Sequence, residues 1–155
     1  MPSRRTAFLL SQLGASSSEK YRELVATLGL TPSDAGILRL LSRNPSISQR
    51  ELADRLGTVP SRVVVLIDSL ESRHLVERTR SVTDRRNYEL SLTEAGAATM
   101  QKLRAVSEEH DQAVLGALTN AQREQLHALL TRLAETRDVD TEVHMGYSKR
   151  DNAGS

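Results

Sequence analysis

The sequence contains no cysteine, which rules out disulfides, thiolate nucleophiles and thiol-based redox sensing together. Aromatic residues are nearly as scarce: one phenylalanine, three tyrosines and no tryptophan in 155 residues. The core must therefore come from Leu, Val, Ile and Ala, a composition suited to packed helices. Long hydrophobic runs are missing too. Near the start the longest is Ala7-Phe8-Leu9-Leu10, far short of the roughly 18 residues of a membrane span and unlike a secretory signal. A cytoplasmic protein with no membrane partner is expected. Nor is there an excess of one charge, with 21 basic against 20 acidic side chains and a net charge of +1. Total charge announces no nucleic-acid partner, so any such signal has to lie in where the charges sit. There is no phosphate-binding glycine loop, no Gly-x-Ser-x-Gly elbow and no pair of histidines at metal spacing, so no enzyme and no cofactor is expected. Glu108, Glu109, His110 and Asp111 invite a metal reading, but consecutive helix positions point in different directions. They are read as a solvated helix face, with no metal.

What is present is a succession of well-marked helices. Residues 6–28 carry Leu10, Leu13, Ser17, Tyr21, Leu24 and Leu28 near one helical face, although Gly14 to Ser18 would also suit a loop. Gly29 fits a C-cap. Thr31, Pro32 and Asp34 then form a helix start with a capping box, Ile37, Leu38 and Leu41 line its buried face, and Asn44-Pro45 ends it. A second capping box follows at Ser48 and Glu51, with Ile47 and Leu52 placed as its hydrophobic staple. That helix covers residues 48–56, buries Leu52, Ala53 and Leu56, and stops at Gly57. A third helix is expected over residues 59–73. Val63, Leu66, Ile67 and Leu70 form its buried face, and Ser61, Arg62, Val65, Asp68 and Ser69 lie outside. Two short helices with a polar, basic outer face on the second make a helix-turn-helix.

The period then changes to two. Val76, Arg78 and Arg80 alternate with Glu77 and Thr79, and Tyr88, Leu90 and Leu92 with Asn87, Glu89 and Ser91. The polar stretch from Ser81 to Arg86 joins them as a hairpin. Thr93 caps a long helix reaching about Leu118, and another spans residues 120–134 with Leu126, Leu129, Leu130 and Leu133 on one stripe. The tail, residues 138–155, is polar and expected to be poorly ordered unless something holds it. The fold class is mainly α with a small β-hairpin wing: a winged helix-turn-helix lobe (residues 31–92) between an N-terminal helix (1–30) and C-terminal dimerisation helices (93–137).

This order of elements resembles the MarR family of winged-helix regulators. The resemblance covers roughly residues 6–135. It is strongest at Leu75-Val76-Glu77-Arg78, then Asp84-Arg85-Arg86, then Leu90-Ser91-Leu92-Thr93-Glu94-Ala95-Gly96. His74 departs from it, standing where the family usually has glycine; histidine tolerates positive φ better than a branched residue. The resemblance implies a dimeric, sequence-specific DNA-binding transcriptional regulator, with a repressor as the first expectation, on a pseudo-palindromic operator. Charge placement agrees. Between positions 43 and 86 nine arginines face six acidic residues, and no lysine occurs there. Arginine suits bidentate contacts to guanine and phosphate.

Arg62, with Ser61 and Val65, is placed early on the third helix, where major-groove base contacts are made. Val65 either meets a thymine methyl or is simply a lone exposed apolar residue. Ser48 and Gln49 open the preceding helix, whose amides suit a phosphate. By resemblance Arg86 is the wing-tip arginine of the minor groove, and Asp84 orients it through an ion pair. Arg78, Arg80 and Arg85 are assigned to phosphates, which fix position without reading sequence. The leucine stripes predict a homodimer. The resemblance also implies a small aromatic or anionic effector between the dimerisation helices and the DNA-binding lobe. Arg4, Arg5, Tyr21 and His110 are its polar candidates, each with an ordinary surface or terminal reading beside it. No residue identifies the effector. The alternative is a winged-helix module that binds protein and not DNA. It would show an apolar or acidic face on the third helix, against which Arg62 and the arginine-rich wing argue.

Overall fold

A computed structural model describes residues 5–144. Helix α1 (Thr6–Ala26) runs through Gly14 and the serines after it without a break, so the loop alternative falls away. Its serine stretch is held from outside: the Ser17 carbonyl lies 2.9 Å from Nε2 of His110 on the long helix. α1 ends two residues earlier than expected, and Gly29 at φ 70° turns the chain so that the Leu30 amide reaches the Val25 carbonyl.

Both capping boxes form as written in the sequence. Thr31 and Asp34 exchange side-chain-to-backbone bonds at the start of α2 (Pro32–Arg43), as do Ser48 and Glu51 at the start of α3 (Gln49–Leu56). Each supplies acceptors to amides that the first helical turn leaves unpaired. Gly57, left-handed at φ 61°, closes α3. The next helix, α4 (Pro60–Ser72), opens with proline at its first turn, where the missing amide costs nothing.

The hairpin strands β2 (Val76–Arg80) and β3 (Tyr88–Leu92) pair in antiparallel register, Val76 opposite Leu92 and Arg80 opposite Tyr88. A third strand escaped the sequence reading. Residues Ile47 and Ser48 form β1 (Ile47–Ser48), which pairs with the other edge of β3 and gives the order β1-β3-β2. Ser46 at φ 63° makes the turn into it. Two residues carry no readable alternation, so β1 is defined only by its partner.

His74 takes the positive φ that its position requires, at 58°. Beside it the wing is seated on α5 (Glu94–Leu115). Thr93 caps that helix and its hydroxyl donates to the His74 carbonyl, while the Thr93 amide donates to the Leu75 carbonyl. Gly96 lies so near that a Cβ there would stand 2.0 Å from the Leu75 oxygen. Only glycine allows this approach.

The core is one cluster running from Leu24 to Val106, with Ile37, Leu38, Leu52, Ile67 and Leu90 among its fully buried members. α6 (Asn120–Thr136) lies outside it and buries no residue. Phe8, Leu9, Leu10 and Leu13 on α1 and Leu129, Leu130 and Leu133 on α6 are exposed. Part of the tail does pack: Asp140 accepts bonds from the amides of Glu142 and Val143, Glu142 pairs with Arg43, and Val143 lies against the core. Among the described residues no helix is long and apolar enough to cross a membrane.

Candidate nucleic-acid interface

α4 presents its residues as the helical period requires. Val63, Ile67 and Leu70 are buried, and Ser61, Arg62, Val65, Asp68 and Ser69 are exposed. Arg62 has no side-chain partner among the described residues, so its five donors remain open to a ligand. Val65 is 67% exposed.

Arg78 overturns its expectation. Its side chain is only 15% exposed, and its guanidinium is engaged on every side. Nη1 donates to Glu71 and Nη2 to Asp68, each at 2.6 Å; Nη2 also approaches the Val64 carbonyl at 3.3 Å, and Nε donates to Gln49 Oε1 at 3.1 Å. The physical reason is the strand period, which puts Arg78 on the same face as buried Val76, toward α4. Arg78 ties β2 to α3 and α4 and neutralises two carboxylates on α4; it is no phosphate contact. Arg73, though half-buried, is likewise engaged by the fold, pairing with buried Asp34 at 3.0 Å and donating to the Gly29 carbonyl at 2.9 Å. Gln49 therefore has its side-chain carbonyl directed to Arg78, and the Ser48 hydroxyl accepts the Glu51 amide.

The wing tip is a small hydrogen-bonded loop. Ser81 is buried, and its hydroxyl accepts from the amides of Thr83 and Asp84. Asp84 Oδ1 accepts the Arg86 backbone amide at 3.0 Å, and Oδ2 accepts Asn87 Nδ2 at 3.2 Å. That corrects the expected ion pair. Asp84 shapes the backbone beneath Arg86, an Asx-type turn, and does not hold its guanidinium. Arg85 and Arg86 are exposed and, among the described residues, without side-chain partners. Arg80 is exposed too and lies over the ring of its cross-strand neighbour Tyr88, 5.9 Å from the centroid.

A second feature is a cleft of about 540 Å³ between α1, α2 and α5, bordered by residues 140–144 of the tail. Tyr21 and His110 line it, their rings 5.2 Å apart and tilted. His110 Nε2 lies 2.9 Å from the Ser17 carbonyl and 3.1 Å from the Ser17 hydroxyl, which ties the long helix to α1. His110 is thus half-buried, unlike exposed Glu108, Glu109 and Asp111, and does not belong to the solvated face assigned to it. Arg5 does not line the cleft, and Arg4 lies outside the described residues. Arg39, which the sequence reading passed over, does: it donates to the Tyr21 hydroxyl at 3.2 Å. Its signal was an arginine between two buried leucines, Leu38 and Leu40.

The arrangement has known counterparts. The sequence profile of the MarR family matches residues 28–87. The transcriptional repressor MdtR of Bacillus subtilis is 31% identical over 117 residues, 76% of each chain. The repressor CouR, solved bound to a 23-mer DNA duplex, is 33% identical with a TM-score of 0.73, over 83% of this chain and 92% of that one. Apo MarR from E. coli shares the fold at 22% identity and the same TM-score of 0.73, over 83% of this chain and 95% of its own. With its helix-turn-helix, three-stranded wing and relatives of this kind, the chain belongs to the MarR family of DNA-binding transcriptional regulators, which are not enzymes.

Proposed function

We propose that the protein is a homodimeric repressor that occupies a pseudo-palindromic operator through α4 and the wing, and that a small molecule in the cleft releases it. The observation that carries the DNA reading is the contrast among the arginines. Arg73 and Arg78 are consumed inside the fold, whereas Arg62, Arg85 and Arg86 stand exposed and unpaired among the described residues. On this reading Arg62 and Ser61 meet base edges in the major groove. Arg86 enters the minor groove, Arg80 and Arg85 hold phosphates, and the N-terminal end of α3, opened by Ser48 and Gln49, faces another with the positive end of its dipole. Dimerisation is supported by the exposed apolar residues of α1 and α6, which one chain leaves uncovered. The cleft, with Arg39 and two rings on its wall, suits an aromatic or anionic effector.

Binding titrations on an operator and a scrambled duplex, each at several salt concentrations, test the DNA assignment. Arg62→Ala should cost about 1–3 kcal/mol per half-site on the operator and relax base preference at one position. Arg86→Ala should weaken both duplexes more evenly and lower the salt slope by roughly one per lost contact. Equal loss on both duplexes for Arg62→Ala, with Arg86→Ala sparing both, would reverse the two roles.

A further inference from the structure

The outer face of α4 holds more than its arginine. Val65 is two-thirds exposed, and Val59 and Val64 beside it are partly so, at 41% and 38%. Val59, at the helix N-cap, and Val65 flank Arg62 at three-residue spacing, whereas Val64 points about 100° away, and no described residue covers Val65. Arg62 and Val65 stand three positions apart and therefore side by side on that helix. One turn further, Asp68 would place a carboxylate on the same surface, but Arg78 draws it aside at 2.6 Å. The same guanidinium reaches the Val64 carbonyl, which fixes how α4 is turned relative to the wing. The first two turns thus present a free cation next to a pair of methyl groups, with no competing anion. In the major groove of B-DNA guanine offers the paired acceptors that an arginine fork matches, and only thymine offers an apolar group, its 5-methyl. Three residues advance a helix by about 4.5 Å, against about 3.4 Å per base-pair step.

Resting on the DNA reading above, we infer that each operator half-site carries a thymine whose 5-methyl group packs on Val65, one to two base pairs from the guanine read by Arg62. A protein partner fits less well, since an apolar surface laid over Val65 would desolvate the Arg62 guanidinium beside it without supplying a counter-charge.

The test begins with sites selected by the wild-type protein from a random DNA pool. Each thymine of the selected operator is then replaced in turn by deoxyuridine, which keeps base pairing and removes only the methyl group. One thymine per half-site should matter, lowering wild-type affinity about fourfold, and about 15-fold when both half-sites are changed. It should lie within two base pairs of the guanine at which Arg62→Ala loses its preference. Val65→Ala should show a similar loss on the thymine duplex and no further loss on the deoxyuridine duplex; being an exposed change, it should melt like the wild type. If the operator is bound specifically yet no thymine can be demethylated with effect, or if Val65→Ala retains the full deoxyuridine penalty, this inference is overturned and the DNA reading stands. If no duplex is enriched at all, the DNA reading fails and takes the inference with it.

Discussion

The winged lobe and the helical arms of this chain are made of similar residues but are finished differently. From Leu30 to Leu90 the buried faces of α2, α3, α4 and the sheet close on one another, and polar clamps tie the elements together at Asp34–Arg73 and around Arg78. The arms lack that closure. α6 buries nothing, Leu129 is 62% exposed, and the N-terminal half of α1 leaves Phe8, Leu9, Leu10 and Leu13 in solvent. Leucine content is therefore no guide to where a core lies. One region buries its apolar residues against itself, and the other leaves a surface suited to a second copy.

The sharpest way to break this comparison is to charge the uncovered face. Leu129→Asp combined with Leu133→Asp should give monomers by sedimentation and reduce operator affinity about 10²- to 10⁴-fold, the avidity lost when two half-sites are no longer linked. A dimer that survives both changes would mean that α6 is not the shared surface. Next in size is the clamp inside the lobe. Arg78→Ala leaves Asp68 and Glu71 without their cation and should destabilise the protein by about 1–3 kcal/mol in chemical denaturation. Arg62→Ala, a change in solvent, should leave the same denaturation curve in place. Equal destabilisation by the two would erase the distinction between internal and outward arginines. The smallest effect expected is none. With no cysteine anywhere in the chain, mild peroxide that spares methionine should not change DNA affinity. Release reversed by dithiothreitol would contradict this.

Much of the lobe was legible in the sequence because its signals are local. The capping boxes at Thr31 and Ser48 and the left-handed stop at Gly57 depend on neighbours within four positions, and they form as read. The strand β1 was not legible, since two residues become a strand only through pairing with Leu90 and Glu89, some forty positions away. The binding residues divide in the same way. The outward exposure of Arg62 and Val65 followed from helical period. Arg78 was misassigned because its charge outweighed a readable fact, that alternation put it on the face of Val76. Asp84 was misread because an Asx turn and an ion pair leave the same Asp-Arg-Arg signature. Arg39 was missed because its place between Leu38 and Leu40 signals only partial burial, and the cleft it lines exists only once α1 and α5 are brought beside it.

The contact at Gly96 has a mechanical consequence. Because no methyl group separates the first turn of α5 from Leu75, and Thr93 is bonded to the same turn, the wing and the long helix meet without slack. A rigid rod of 22 residues is about 33 Å long. A tilt of about 6° at one end of such a rod carries the other end about 3.4 Å, the height of one base pair. Wing and helix are therefore joined as one piece, and a tilt of that size about the far end of α5 carries the wing with it by the same distance.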